Sequence, residues 1–272
     1  MEIQELVEKF MNNPKTEESY QEVIKWCGEN IKNFDLKEKN QIYLYERATR
    51  YLMKYKIGKW NKDDANIIIT YLSKKFAYQQ GIDENVTVKI LDEDEYKHTY
   101  GDKSSAICVN NDNTSEIAYS PVVVNNLLSN DSEKILRGMQ IIYHEVVHAM
   151  QNNVIKNKEI NGITIPKTKS IYFMALETIA RKYKPGFYEI NYSQLLKENH
   201  AEKIGLKMAL KTMEEYNPKL YKLYNQDVIA QRLENYDKNF YDAKSIVMKN
   251  RGKDFMEEID DFRFFILKKI RK

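Results

Sequence analysis

Residues 1–82 carry apolar positions at helical spacing. Ile3, Leu6, Val7, Phe10 and Met11 fall at i, i+3, i+4, i+7 and i+8, and the stripe stops before Pro14, whose ring is excluded from a helix interior. Tyr20, Val23, Ile24, Cys27 and Ile31 repeat the pattern, as do Ala65, Ile68, Ile69, Leu72 and Phe76, and the Tyr-rich stretch 36–55 between them is helix-compatible. Gly81 ends the series. No fixed repeat period emerges, so a solenoid is unsupported.

The period then changes. Val86, Val88 and Ile90 alternate with Thr87 and Lys89, which predicts a half-buried strand. Residues 106–109 and 117–119 predict two more, flanking the polar turn Asn110-Asn111-Asp112-Asn113-Thr114. A long helix follows over about 132–153, then Asn161-Gly162 between β-formers in 159–165, a hairpin signal. From Ser170 onward the pattern is helical again, broken near Pro185-Gly186, Asn217-Pro218 and Arg251-Gly252. Phe255, Ile259, Phe262 and Ile266 stripe the last helix, and its basic end, Lys268-Lys269-Ile270-Arg271-Lys272, is open to a membrane surface or an acidic partner but reads first as cations complementing a helix macrodipole. The expected fold class is α+β, predominantly helical: a helical N-terminal region (1–82), a core holding the strands (83–215) and a C-terminal helical region (216–272).

Composition narrows the function classes. Lys plus Arg number 43 against 40 Asp plus Glu, a net +3 that indicates no nucleic-acid binding. Glycine at 9 and proline at 5 of 272 residues disfavour collagen-like or disordered chains. No apolar run reaches the roughly 18 residues of a membrane span, and the first residues lack a signal-peptide pattern, so a cytoplasmic protein is expected. Cys27 and Cys108 stand far apart outside any CxxC spacing and read as small core residues.

Chemistry concentrates in Tyr143-His144-Glu145-Val146-Val147-His148-Ala149-Met150, an HExxH pattern. On a helix His144 and His148 stand one turn apart on one face, close enough for two imidazoles to bind one zinc, with Glu145 placed to act as general base in hydrolysis. With only four histidines in the chain, the pattern is expected by chance on the order of 0.01 times. Its context supports it. Ile135, Leu136, Met139, Ile141, Ile142, Tyr143, Val146, Val147, Ala149 and Met150 make the helix apolar around most of its circumference, while Arg137, Gln140, His144, His148 and Gln151 keep one polar stripe.

A hydrolytic zinc site needs a third protein ligand and an open fourth position. The metzincin pattern HExxHxxGxxH is excluded, because Gln151 stands at its glycine position and Val154 at its third histidine. Neither cysteine sits in the upstream motif that a peptide deformylase needs. A glutamate is therefore the leading third ligand. With Ser193 as N-cap, Glu198, Ala201, Glu202 and Gly205 share one helix face, carboxylate and small, which lets the backbone approach the HExxH helix and brings Glu198 to the metal. Glu202, one turn later, is placed to orient a histidine. Glu177 is the rival, on an apolar helix but with Arg181 at i+4, where a simple ion pair competes. His200 points about 200° away from Glu198 on an ideal helix, and His98 reads as exposed.

The segment from His144 to Gln151, together with Glu198-Asn199-His200-Ala201-Glu202, resembles the gluzincin group of zinc metallopeptidases, whose downstream Glu helix carries an acidic residue four positions later. The resemblance covers about residues 85–210. The interval from His148 to Glu198 is longer than in thermolysin-like members. The Glu-x-x-Ala helix is also similar to the phage-repressor-cleaving ImmA/IrrE type, although residues 1–82 match no motif of that type. The resemblance implies a small twisted sheet against the HExxH helix and an edge strand lining the cleft, around 106–109 or 117–119. An extended peptide substrate would add to that edge. It implies a Zn2+-dependent endopeptidase with His144, His148 and Glu198 as metal ligands and Glu145 as base. Two other readings stay open: a non-catalytic binding protein on the same scaffold, and a zinc hydrolase of a non-peptide amide with a deep closed pocket.

Overall fold

The computed structural model describes residues 2–12, 15–82, 86–101, 104–111, 114–152, 168–184, 196–254 and 257. The hairpin expected at 159–165, the N-cap Ser193, the break at Pro185-Gly186 and the stripe and basic end of the last helix lie outside them. The described elements are eleven α-helices, one 3-10 turn at Ile31–Asn33 and three strands, an α+β architecture that is predominantly helical. The chain divides into two compact units, residues 1–150 with 205–224, and residues 151–204 with 225–272.

The first unit opens with α1 (Ile3–Asn12), α2 (Glu17–Glu29), α3 (Lys39–Tyr55) and α4 (Lys62–Gln79). Helix α4 starts on a capping box in which Asn61 Oδ1 accepts from the Asp64 N–H at 2.9 Å and Asp64 Oδ2 accepts from the Asn61 N–H at 3.0 Å. Its Ala65, Ile67, Ile68, Ile69, Tyr71, Leu72, Phe76 and Ala77 are buried on every side, so it becomes the axis on which α2, α3 and the sheet pack. Gly81, at φ +68°, then turns the chain out of the helix.

Strand β1 (Val86–Ile90) leads into α5 (Glu93–Tyr100), a helix absent from the periodicity reading; Asp92 caps it and Gly101, at φ +78°, ends it. Strands β2 (Ala106–Asn111) and β3 (Thr114–Tyr119) form the expected hairpin, with Cys108 opposite Ile117, and β1 joins β3 in parallel, with Val88 opposite Ile117. The order β1-β3-β2 makes β3 central. Of the two stretches expected at the edge, 117–119 is therefore paired on both sides, and only the stretch in β2 lies at an edge. On the outer face Glu116 takes hydrogen bonds from Lys89 and Tyr100, which hold its carboxyl below the ordinary 4.5.

After α6 (Pro121–Leu127), capped by Ser120, comes α7 (Ser132–Asn152), the helix of the HExxH pattern. Tyr119 ties it to the sheet. This fully buried phenol donates to the Ile142 carbonyl at 3.0 Å and stands 3.0 Å from Ser73 Oγ of α4. Its one proton goes to the carbonyl, so the serine hydroxyl donates to the phenol oxygen. Helix α9 (Leu196–Tyr216) lies against α7 within this unit: Tyr143 Oη and Thr212 Oγ1 are 2.6 Å apart, and Leu206, Ala209 and Met213 are fully buried. The short α10 (Pro218–Tyr221) follows, with Asn217 Nδ2 donating to the Met53 carbonyl at 2.8 Å.

The second unit contains α8 (Thr168–Tyr183), the first part of α9 and α11 (Gln226–Arg251). Its core is Leu176, Ala180, Leu196, Ala243 and Val247, with Ile179, Phe240 and Ile246 packed around them. Among the described residues no helix is long and apolar enough to cross a membrane.

Two stability outcomes follow. Tyr119→Phe leaves buried partners at Ile142 and Ser73 short of a hydrogen bond and is expected to cost roughly 1–3 kcal/mol in urea unfolding. Glu116 has a depressed folded pKa, so its contribution is present above its unfolded pKa and lost as pH falls through the folded one. The gap in urea midpoint between wild type and Glu116→Gln is expected to be clear at pH 6 and to close toward pH 3.

Candidate metal centre

The site starts from a burial conflict on α7. Its apolar residues drive it inside, and Gln140, Glu145, His148 and Gln151 go with them, all below 9% exposed. Burying a carboxylate and an imidazole costs free energy unless each finds hydrogen bonds, charge or a metal. The polar stripe expected on this helix is thus present, running inward from exposed Arg137 to buried Gln151.

Helix α9 meets that stripe at Gly205. A Cβ added there would stand 2.8 Å from the Gln140 carbonyl oxygen and 3.2 Å from the His144 nitrogen. Backbone therefore approaches backbone, and only glycine permits it. The small-faced helix predicted from Ala201 and Gly205 takes its meaning from this contact.

Glu198 lies on the same face of α9 two turns before Gly205, and it is 5% exposed. The imidazole nitrogens of His144 and His148 and a carboxylate oxygen of Glu198 all lie within 4.8 Å of one another. The two Nε2 atoms are 2.9 Å apart, with the rings edge to face at 83°. Tetrahedral ligands at the zinc–nitrogen distance of ~2.0–2.1 Å stand roughly 3.3 Å from each other, so a small ring rotation accommodates an ion. The donor set of two imidazoles and a carboxylate fits a divalent transition metal, and among the described residues this is the one group of three that could hold an ion. Glu145 is outside the trio, with Oε1 3.9 Å from His144 Nε2. That is adjacent to the metal position without being part of the ligand group.

The rivals go elsewhere. Glu177 accepts from Arg181 Nη2 at 2.6 Å, the i,i+4 ion pair that its spacing suggested, and from the Leu196 N–H at 3.3 Å, serving the N-terminus of α9. His200 Nδ1 lies 3.0 Å from Gln151 Nε2, outside the ligand group. His98 is exposed on α5.

One residue near the site escaped the sequence reading. Tyr96, two positions before His98, is 2% exposed, and its hydroxyl stands 3.0 Å from Ser104 Oγ. Burial and the nearby Glu145 carboxylate keep the phenol protonated, against the hydrogen bond from Ser104. The sequence signal was the pair Asp92 and Gly101, which bound a short helix and put Tyr96 on its inner face.

No protein-family model, no curated protein and no solved structure matches the chain.

Gly205→Ala tests the helix contact. In an open helix the change gains roughly 1 kcal/mol, but here the methyl meets backbone that cannot swing away. The expected result is a loss of about 1–3 kcal/mol in urea unfolding.

Proposed function

We propose that this chain is a zinc-dependent metallopeptidase of gluzincin type, with His144, His148 and Glu198 as metal ligands. The observation that carries the reading is the convergence of these three donors in a largely buried cluster, built from an HExxH helix and a distant Glu helix. A zinc ion bound there supplies Lewis-acid polarisation of a carbonyl and lowers the pKa of water toward ~7. Zinc is favoured over harder cations by the two imidazoles.

The chain's own residues do the rest. Glu145 carries a carboxylate one residue from the first ligand, 9% exposed at its side chain, so it takes the proton of the attacking water at its Oε and returns it to the leaving amine. Tyr96, whose hydroxyl stands 3.0 Å from Ser104 Oγ, stays neutral in the field of the Glu145 carboxylate. Glu202, one turn after Glu198, orients a ligand from outside the metal shell.

The substrate is a peptide in extended form. Among the described residues strand β2 pairs with β3 on one side only, a strand edge of the kind that takes a further strand by main-chain hydrogen bonds. A cytoplasmic setting belongs to the same reading, supported by cysteine scarcity and by Cys27, a thiol fully buried within α2 rather than held for cross-linking.

The test is cleavage of unfolded protein and peptide mixtures by the purified chain. Wild type is expected to cleave, to stop with a chelator and to recover with Zn2+. Glu145→Gln is expected to retain stoichiometric zinc and lose at least ~100-fold in rate, whereas His148→Ala and Glu198→Ala lose the metal. A Glu145→Gln variant as active as wild type overturns the mechanism. Zinc retained by Glu198→Ala at wild-type affinity overturns the ligand assignment. A chain that holds zinc and cleaves nothing favours the non-catalytic reading.

A further inference from the structure

Gln151 stands at the glycine position of the longer metzincin pattern, and the mechanism above gives it no task. It is 4% exposed, three residues after His148 on α7. Its Nε2 lies 3.0 Å from the Lys197 carbonyl oxygen and 3.0 Å from His200 Nδ1. An amide nitrogen has two hydrogens, so one group serves both acceptors. Lys197 is the residue before the ligand Glu198, and His200 is two residues after it. The first turn of α9 is therefore gripped on both sides of Glu198 by a side chain that follows the ligand His148 by less than one turn.

The grip has a counterpart at the far end. Gly205 brings α9 onto the backbone of Gln140 and His144. From His144 to Gln151, and from Gly205 back to Glu198, the two helices each advance two turns, roughly 10.5 Å at 1.5 Å per residue. The Gly205 contact sets the distance between helix axes at one end of this interval, and the Gln151 amide sets it at the other. Glu198 is a long side chain with three rotatable bonds, and the carboxylate reaches a fixed point only if its backbone is held from both ends.

We propose that Gln151 is a positioning residue of the metal centre: by donating to Lys197 and His200 together it holds the first turn of α9 in register, so that Glu198 completes the ligand set. The same donation makes His200 Nδ1 an acceptor and leaves the proton of the neutral ring on Nε2. The proposal rests on the metal-binding reading for its consequence, while its hydrogen bonds have a signature that needs no metal. Ligand-orienting groups of this kind change metal affinity by 10- to 100-fold when removed.

The experiment uses the full chain as wild type, Gln151→Met, which keeps length and apolar volume without the donors, His200→Leu and His148→Ala. Metal-free samples are examined by nitrogen NMR of the histidine side chains and by amide exchange in the first turn of α9. Co2+ affinity and the visible spectrum of the Co2+ form are then measured. In wild type the His200 ring is expected as the Nε2–H tautomer; in Gln151→Met it becomes a mixture, the first-turn amides exchange faster, and Co2+ binding weakens 10- to 100-fold with an altered spectrum. His200→Leu, which removes one of the two acceptors, is expected to give a smaller weakening, and it supplies the reading if Gln151→Met fails to fold. Co2+ affinity and spectrum in Gln151→Met equal to wild type, with binding abolished in His148→Ala, overturn the positioning role and leave the metal reading standing. No Co2+ binding by folded wild type overturns the metal reading and the positioning role with it, even where the tautomer signature is present.

Discussion

The close contact of α7 and α9 at Gly205 is the constraint on which the site depends. A methyl group there would meet the Gln140 carbonyl at 2.8 Å, so the helices are as near as backbones come. Helix pairs with ordinary side chains between them sit 8–10 Å apart, and at that spacing a glutamate and a histidine one layer away would meet through long, loosely held arms. Glycine shortens the reach. The residues around the contact are chosen for the same end: Ala201 and Ala209 on α9 are fully buried and small, and Thr212 supplies a short hydroxyl for Tyr143.

The sheet has a supporting part in this arrangement. Tyr119 closes β3 and delivers its phenol to the Ile142 carbonyl, two residues before His144. Helix α7 is thus located by a hydrogen bond from one side and by backbone contact with α9 from the other. A polar link inside an apolar layer specifies position more sharply than hydrophobic contact does, because hydrophobic packing is non-directional and a hydrogen bond is not. Ser73 on α4 completes the link, so the axis of the N-terminal helices and the HExxH helix share one polar joint. The N-terminal helices therefore belong to the same compact unit as the strands and α7.

Much of this was legible residue by residue. The stripes at Ile3, Tyr20 and Ala65 became α1, α2 and α4, and the alternation at Val86 became β1, because burial of one face imposes its period directly on the sequence. Short elements were harder. Helices α5 and α6 span eight and seven residues, too few for a period to show, and their caps at Asp92 and Ser120 were the better signal. Within the site, His144, Glu145 and His148 declare themselves through local spacing on one helix. Glu198 was harder to separate from Glu177, since each sits on a helix and differs in what lies opposite; Glu177 is engaged by Arg181 and the N–H of Leu196.

The sequence by itself determined the longer helices and the strands, the HExxH face and a small-sided Glu helix, since these rest on spacing along one element, where covalent geometry leaves little choice. Only the tertiary structure decided which glutamate joins the histidines, which strand is an edge and what Gln151 and Tyr96 touch. Those are meetings between elements distant in sequence, set by how helix faces and strand order pack, and no local period records them.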